Sequence, residues 1–337
     1  MKKSGKTDAE RVRDIWLAFA AGDAMGMPTE FMCPADIRAV FGDDMPGGLP
    51  AGLLPAEKSV THNILPAGSV TDDTEQNLYL LAEAEKRGGV TLEGVLSALE
   101  AWIAETGAVE KLYIGPSSLK ALEAIRKGTP AAEAGIGGTT CGGIMRTPSA
   151  FLWNTAQSEE ELEENILTSL LPTHNTSEAL EAAGAYGFAL RAAFLGGSME
   201  EIFDAAERGG KRLIAHAAWT GCAAGSVRRI REARKLAREL SEEELLDHVY
   251  SLWGTGLPSA DVAGAVFALF AAAGKDVWKA IQLATVIGGD TDTIAALAGA
   301  LSAAFAGGHN IPQAVLDRIL ERNRELFASK YPEALGA

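Results

Sequence analysis

Apolar residues recur at three- and four-residue intervals along most of the chain, the period of a helix with one face turned inward. Val12, Ile15, Trp16 and Phe19 share such a face, which predicts a helix over residues 11–24, broken by Gly22, Gly26 and Pro28. The same period predicts helices over 36–41, 74–86, 92–106, 117–127, 159–171, 177–195 and 199–208. It continues over 215–240, where two helices meeting near Gly225 are an option, and then over 242–252, 260–273, 277–285, 293–306 and 312–329. Gly or Pro marks nearly every junction, and residues 42–68, rich in both, read as an irregular loop. No run of β-branched residues alternates over six positions, so strands are not expected. The fold class expected is all-α, a single compact multi-helix domain over residues 8–330 with no linker, compositional shift or internal repeat.

Composition sharpens this picture. Hydrophobic residues make up 47% of the 337 positions but aromatics only 7%, and there are 37 glycines, so close approach of helices through small residues is expected. With 30 basic against 45 acidic residues the formal net charge is −15, which disfavours nucleic acids and anionic membranes as partners. An anionic substrate would then need a local source of positive potential. Cys33, Cys141 and Cys222 form no CxxC pair, which argues against a disulfide scaffold or a zinc site and fits a reducing compartment. The first ten residues are polar with no apolar segment behind them. The longest apolar runs, 262–273 and 294–306, are too short to span a bilayer, and a cytoplasmic location is expected.

Two segments carry candidate chemistry: Gly68-Ser69-Val70-Thr71-Asp72-Asp73-Thr74 and Gly288-Gly289-Asp290-Thr291-Asp292-Thr293. Each sets Thr and Asp in a Gly-led loop ahead of a helical segment. Taken singly, either reads as a helix N-cap, because Asp and Thr oxygens accept from unpaired backbone N–H groups and carboxylates suit the positive end of the helix dipole. A cap needs only one side chain, however, and here four carboxylates are available. If the two helices pack together, those carboxylates raise one another's pKa unless a hard cation lies among them. Oxygen donors without His or Cys suit Mg²⁺ or Mn²⁺.

These segments are part of a longer pattern. Gly22-Asp23-Ala24-Met25-Gly26 with Glu30, then Thr71-Asp72-Asp73-Thr74, Cys141-Gly142-Gly143-Ile144-Met145-Arg146, Thr173-His174 and finally Gly288 to Thr293 stand in the order found in the ADP-ribosylglycohydrolase family. The chain resembles that family from about Arg11 to about Phe305. The resemblance implies an all-α fold with a central cleft holding two Mg²⁺ or Mn²⁺ ions. It implies Thr71, Asp72 and Asp73 at one ion, Asp290 and Thr293 at the other, and Asp292 bridging. It further implies catalytic roles for Glu30, Asp72 and Asp292, and substrate contacts from Ser117, Thr140, Cys141, Gly142, Gly143 and His174. The activity implied is removal of ADP-ribose from a small-molecule or protein-linked acceptor. Such chemistry is coherent: cations orient ribose hydroxyls and activate water, a carboxylate takes the proton, and the metals supply positive potential in an acidic protein.

The chain departs from the family pattern where Thr140-Cys141-Gly142 replaces Gly-Asn-Gly, where Pro148 falls one residue early, and where Thr176-Ser177 replaces an Asp-Pro pair. These departures keep a second reading open, an N-glycosidase for a nucleoside or a smaller ribosyl substrate. A third reading, the fold retained with activity lost, is disfavoured by the presence of every ligand position and Glu30. His62, His216, His248 and His309 receive no functional reading, and Arg228, Arg229, Arg231 and Arg234 read as a solvated helix face.

Overall fold

In a computed structural model, which describes residues 5–109 and 114–336, the helical periodicity is realised as seventeen α-helices. The chain opens with α1 (Asp8–Gly26), α2 (Pro34–Phe41), α3 (Asp72–Arg87), α4 (Leu92–Thr106), α5 (Pro116–Arg126) and α6 (Ala131–Ala134). Next come α7 (Gly142–Leu152), α8 (Glu159–Leu170), α9 (Ser177–Phe194), α10 (Met199–Leu213), α11 (Ser226–Glu239) and α12 (Glu242–His248). It closes with α13 (Ser259–Ala273), α14 (Val277–Val286), α15 (Thr291–Ala306), α16 (Gln313–Arg322) and α17 (Arg324–Lys330). Among the described residues β pairing is limited to two isolated bridges, Thr140–Pro258 and Thr176–Trp219. The expected all-α class is therefore the observed one.

Local sequence accounts for many of the helix starts. Thr7, Ser158, Ser198 and Ser241 each accept from the backbone of a Glu three residues on, whose carboxylate reaches back to the cap. Such capping boxes satisfy two backbone donors that a helix start leaves unpaired.

Packing divides the chain into two units interleaved in sequence, so that neither is bounded by a linker. The first comprises Met1–Thr74, Glu232–Leu257 and Gly264–Ala337; the second comprises Glu75–Arg231 and Pro258–Ala263.

In the first unit α1 lies along α15. Both are buried on nearly every side, α1 from Asp14 to Gly26 and α15 from Thr291 to Ala304. Helices apolar all round belong at the centre of a domain, and each buried Ile or Leu, such as Ile294, Leu297 and Leu301, stabilises by ~1.5–3 kcal/mol. Gly22 and Gly26 permit the approach: a Cβ on Gly22 would lie 2.2 Å from the Ala295 carbonyl oxygen, and one on Gly26 2.3 Å from that of Thr291.

In the second unit α9 packs against α10 in the same manner. A Cβ on Gly209 would meet the Gly184 carbonyl oxygen at 2.1 Å. Gly209 and Gly210 therefore lie inside α10, which runs to Leu213, rather than ending it near residue 208.

Three other segments differ from their periodicity. Residues 217–225 are not helical, because their backbone is fastened to the start of α9: Ala218 N–H donates to Asn175 Oδ1 (3.0 Å), Gly221 N–H to Ser177 Oγ (3.0 Å) and Ala223 N–H to Glu178 Oε1 (2.7 Å). The segment 312–329 is two helices broken at Asn323, whose amide donates to Gly68 O (2.9 Å) and accepts from Val70 N–H (3.2 Å). Helix α7 forms where Gly142, Gly143 and Pro148 had masked it, since its buried residues from Gly143 to Leu152 supply the packing.

Candidate metal centre

Both acidic segments and Glu30 lie in the first unit. The start of α3 is capped by a residue from another helix. Asp23, on α1 and fully buried, accepts from the Thr71 backbone N–H at 3.0 Å, the Thr71 hydroxyl at 2.9 Å, the Thr74 backbone N–H at 3.0 Å and the Thr74 hydroxyl. Taking the third N–H of a helix is the usual duty of its own N-cap side chain. Asp23 performs it here, while the local cap, Thr71 Oγ1, receives Asp73 N–H only at 3.4 Å. Asn323 fixes the backbone that leads into this turn through Gly68 and Val70.

The start of α15 is anchored separately. Gly288 and Gly289 adopt φ of 84° and 81°, a region open to glycine at no steric cost. Their backbone pairs with the turn after Glu30: Phe31 N–H donates to Gly289 O (2.7 Å) and Gly289 N–H to Met32 O (3.0 Å). Phe31 is the only non-glycine residue with positive φ, at 59°, among the described residues. Such backbone clusters at functional positions. Asp290 N–H donates to Thr255 O (2.7 Å), and Thr291 Oγ1 donates to Gly26 O (2.9 Å). The Asp290 side chain stands at the N-cap position without capping the helix, so the capping reading does not account for it.

The two segments meet. Thr71 Oγ1 lies 3.4 Å from Asp292 Oδ2, although the residues are 221 positions apart, and Asp292 Oδ1 accepts from Thr293 N–H at 2.9 Å. Thr71, Asp73, Asp290, Asp292 and Thr293 are all buried, and Asp72 is half-buried. Their influence on one another is visible in their ionisation. Burial, and next the neighbouring Asp292, raise the Asp23 pKa to about 7 against the lowering effect of its threonine donors. Glu30 is pushed well above the usual carboxylate range by burial, then by Asp292 and Asp23. Asp73 is raised by burial and then by Asp292, Asp72, Asp23 and Asp290 in turn. Carboxylates from four stretches of chain thus act on each other at short range. Carboxylate and hydroxyl oxygens predominate, a donor set that hard divalent cations favour.

One histidine joins the group. His62 is buried, its Nε2 meets Glu30 Oε2, and the ligating atoms of Glu30, His62 and Asp292 all lie within 4.8 Å of one another. It sits in a segment whose Gly and Pro content signalled only a loop, and no local pattern marked it.

The remaining candidate residues lie in the second unit. His174 is fully buried. Its Nδ1 accepts from Arg146 at 3.2 Å, which leaves the proton on Nε2, and Nε2 donates to Thr140 Oγ1 at 3.0 Å. Burial, then the Arg146 charge, hold its pKa well below the usual histidine value, so it is neutral. His174 therefore cross-links the loop at Thr140 to the buried Arg146, which also donates to Gln76, Ser118 and Thr173. Gly142 and Gly143 start α7 against His174, where an added Cβ would stand 3.0 Å from the ring carbon Cε1 and 3.3 Å from the His174 Cβ respectively, and Cys141 is buried beside them. Ser117 lines a cavity of about 160 Å³ with Lys120, Gly137, Gly138 and Thr173. None of the three cysteines forms a disulfide.

An all-α chain that gathers carboxylates and threonine hydroxyls from distant segments into one buried centre stands with the helical glycohydrolases. The family model for ADP-ribosylglycohydrolases matches residues 4–335, and the chain belongs to that family. It is 29% identical over 314 residues to an uncharacterized protein of Archaeoglobus fulgidus, covering 93% of this chain and 92% of that protein. It is also 29% identical over 336 residues to the uncharacterized protein YegU of Escherichia coli, covering 97% and 96% respectively. Among solved structures, an ADP-ribosylglycohydrolase-related protein complex shares the fold with a TM-score of 0.62 at 23% identity, over 99% of this chain and 100% of that one. Among the described residues no helix is long and apolar enough to cross a membrane.

Proposed function

We propose that this protein is a metal-dependent hydrolase that cleaves the C1 glycosidic bond of an ADP-ribosylated acceptor. The observation that carries the reading is the burial of Asp23, Glu30, Asp73, Asp290 and Asp292 at mutual distances short enough to raise carboxylate pKa values. Carboxylates so placed repel one another unless cations neutralise them. In this reading Thr71, Asp72 and Asp73 would hold one ion, Asp290 and Thr293 would hold the other, and Asp292 would help to hold them. When bound, two divalent cations supply positive potential, orient ribose hydroxyls and acidify water. With cations bound to offset the repulsion of Asp292 and Asp23, Glu30 would be ionised and would take the proton of the attacking water. Positive charge developing at C1 and the ring oxygen is stabilised by the carboxylates around it. Asp23 keeps the Thr71–Thr74 turn in register through the hydrogen bonds it accepts from Thr71 and Thr74.

The second reading, a nucleoside or smaller ribosyl glycoside as substrate, is favoured by the state of the loop residues that depart from the family pattern. Thr140 binds His174, and Thr176 Oγ1 donates to Gly138 O at 2.7 Å, so both serve internal structure. A glycoside panel with Mg²⁺ or Mn²⁺ separates the readings. Release of free ADP-ribose from ADP-ribosyl-arginine or ADP-ribosyl-serine supports the first. Release of base from nucleosides, with no turnover of ADP-ribosyl substrates, supports the second. Absence of both with metals bound would reject hydrolysis.

A further inference from the structure

Glu30 is clasped by a segment of chain that contributes nothing to the proposed ligand set. The segment is residues 59–65 of the first unit, and it closes on itself first. Ser59 Oγ accepts from the backbone N–H groups of Thr61 (3.3 Å) and His62 (3.0 Å), and Leu65 N–H donates to His62 O (2.9 Å). It then grips Glu30 at two points. Thr61 Oγ1 donates to the Glu30 carbonyl oxygen at 3.2 Å, and His62 Nε2 bonds to Glu30 Oε2. From the other side, Phe31 is held in its left-handed conformation by the Gly289 carbonyl. Backbone and carboxylate of Glu30 are therefore both fixed, and Glu30 and His62 are almost wholly shielded from water, with 7% and 8% of their surfaces exposed.

We propose that His62 is a positioning residue for Glu30: its Nε2–H donates to Oε2, sets the plane of the carboxylate and leaves Oε1 for the proton of the attacking water. A buried carboxylate beside Asp292 and Asp23 is repelled by both, and without a partner it would be free to turn away from them. A second group hydrogen-bonded to the first removes that freedom, as outer residues do for ligands around a metal. The proposal rests on Glu30 being the base of the hydrolysis described above. The other role open to an imidazole here is that of a cation ligand, since Asp292 is also within reach, and the two roles differ in their effect on metal content.

The test uses the whole chain loaded with diamagnetic Mg²⁺ and three readouts: steady-state kinetics, bound metal by elemental analysis, and long-range ¹H–¹⁵N NMR of the histidine rings. In the unmodified protein His62 should be the Nε2–H tautomer and should lose that preference in Glu30→Ala. His62→Ala should lower kcat about 10–100-fold with KM nearly unchanged and metal content equal to that of the unmodified protein. His62→Gln, whose side-chain amide offers a donor close to the position of Nε2, should recover most of the lost kcat. Loss of metal from both variants would assign His62 to the cations instead and overturn the proposal, as would an unchanged kcat in His62→Ala or an Nδ1–H ring in the unmodified protein. If the unmodified protein turns over no glycoside, it is the hydrolase reading that fails, and the NMR result alone decides whether His62 donates to Glu30.

Discussion

Replacing Gly26 by alanine should damage the proposed metal centre without replacing any ligand. The added Cβ would stand 2.3 Å from the Thr291 carbonyl oxygen and 2.5 Å from the Asp292 Cα. Comfortable separations between such atoms are ~3.5–4.0 Å, so the start of α15 must retreat from α1 by about 1 Å. Both helices are buried nearly throughout, and their neighbours resist the shift; overpacking of this kind costs ~1–3 kcal/mol. At about 2.1 cal/mol/K per residue, a chain of 337 residues loses about 1.4 °C of Tm for each kcal/mol. The larger effect falls on the cations, because ligand positions tolerate only about 0.2 Å and Asp292 rides directly on the displaced backbone. Isothermal titration of Mn²⁺ into chelator-treated Gly26→Ala should show affinity lower by a factor of ten or more, on the order of that lost when groups orienting a metal ligand are disturbed. Gly42→Ala is the matched control, since a Cβ there meets nothing within 4 Å. Unmodified Mn²⁺ affinity in Gly26→Ala would refute the idea that close approach of α1 and α15 sets the position of Asp292.

Asp292→Ala should remove at least one cation; elemental analysis giving unchanged metal content would reject the ligand assignment. Glu30→Gln should retain the metals while kcat falls by ~10²–10⁴-fold, the usual contribution of a general base, and a fall of less than threefold in initial-rate assays would take the base role from it. Chelation should cost more stability at pH 8 than at pH 5.5. Burial chiefly, and then Asp292, raise Asp23 to about 7 from an ordinary 3.8, so without metal its contribution is complete below the ordinary value and lost as pH rises through about 7. His174, held neutral by burial, loses stability in the opposite direction as pH falls, but it does so with or without chelator. The gap in Tm between loaded and stripped protein therefore isolates the carboxylates, and a gap that does not widen with pH would contradict their mutual repulsion.

The parts of this molecule that were legible in sequence are those whose signal is local. Thr71-Asp72-Asp73-Thr74 and Asp290-Thr291-Asp292-Thr293 crowd more carboxylates into a helix start than capping requires, and that excess is visible without knowing the fold. Asp23 stood in a quoted motif, yet its task depends on α1 meeting the start of α3, a contact between residues 48 positions apart for Thr71. His62 lies in an irregular stretch with no periodicity to show which way it faces. Gly209 looked like a helix end because glycine usually is one; the close passage of α9 explains why it is not. Asn323 likewise interrupts a regular pattern in order to hold Gly68 and Val70. In each case the missing information was a partner far along the chain.

The first unit draws on three separated stretches, and the segment bearing Asp290 and Asp292 belongs to the last. During translation Asp23, Glu30, Asp72 and Asp73 therefore leave the ribosome long before their counterparts, and Gly22 and Gly26 wait for α15 to fill the face they keep narrow. Until it arrives, the nascent chain carries half of the proposed cation pocket and an unfilled helix seat, so on that reading ion capture is a late event, coincident with closure of the core rather than a nucleus for it.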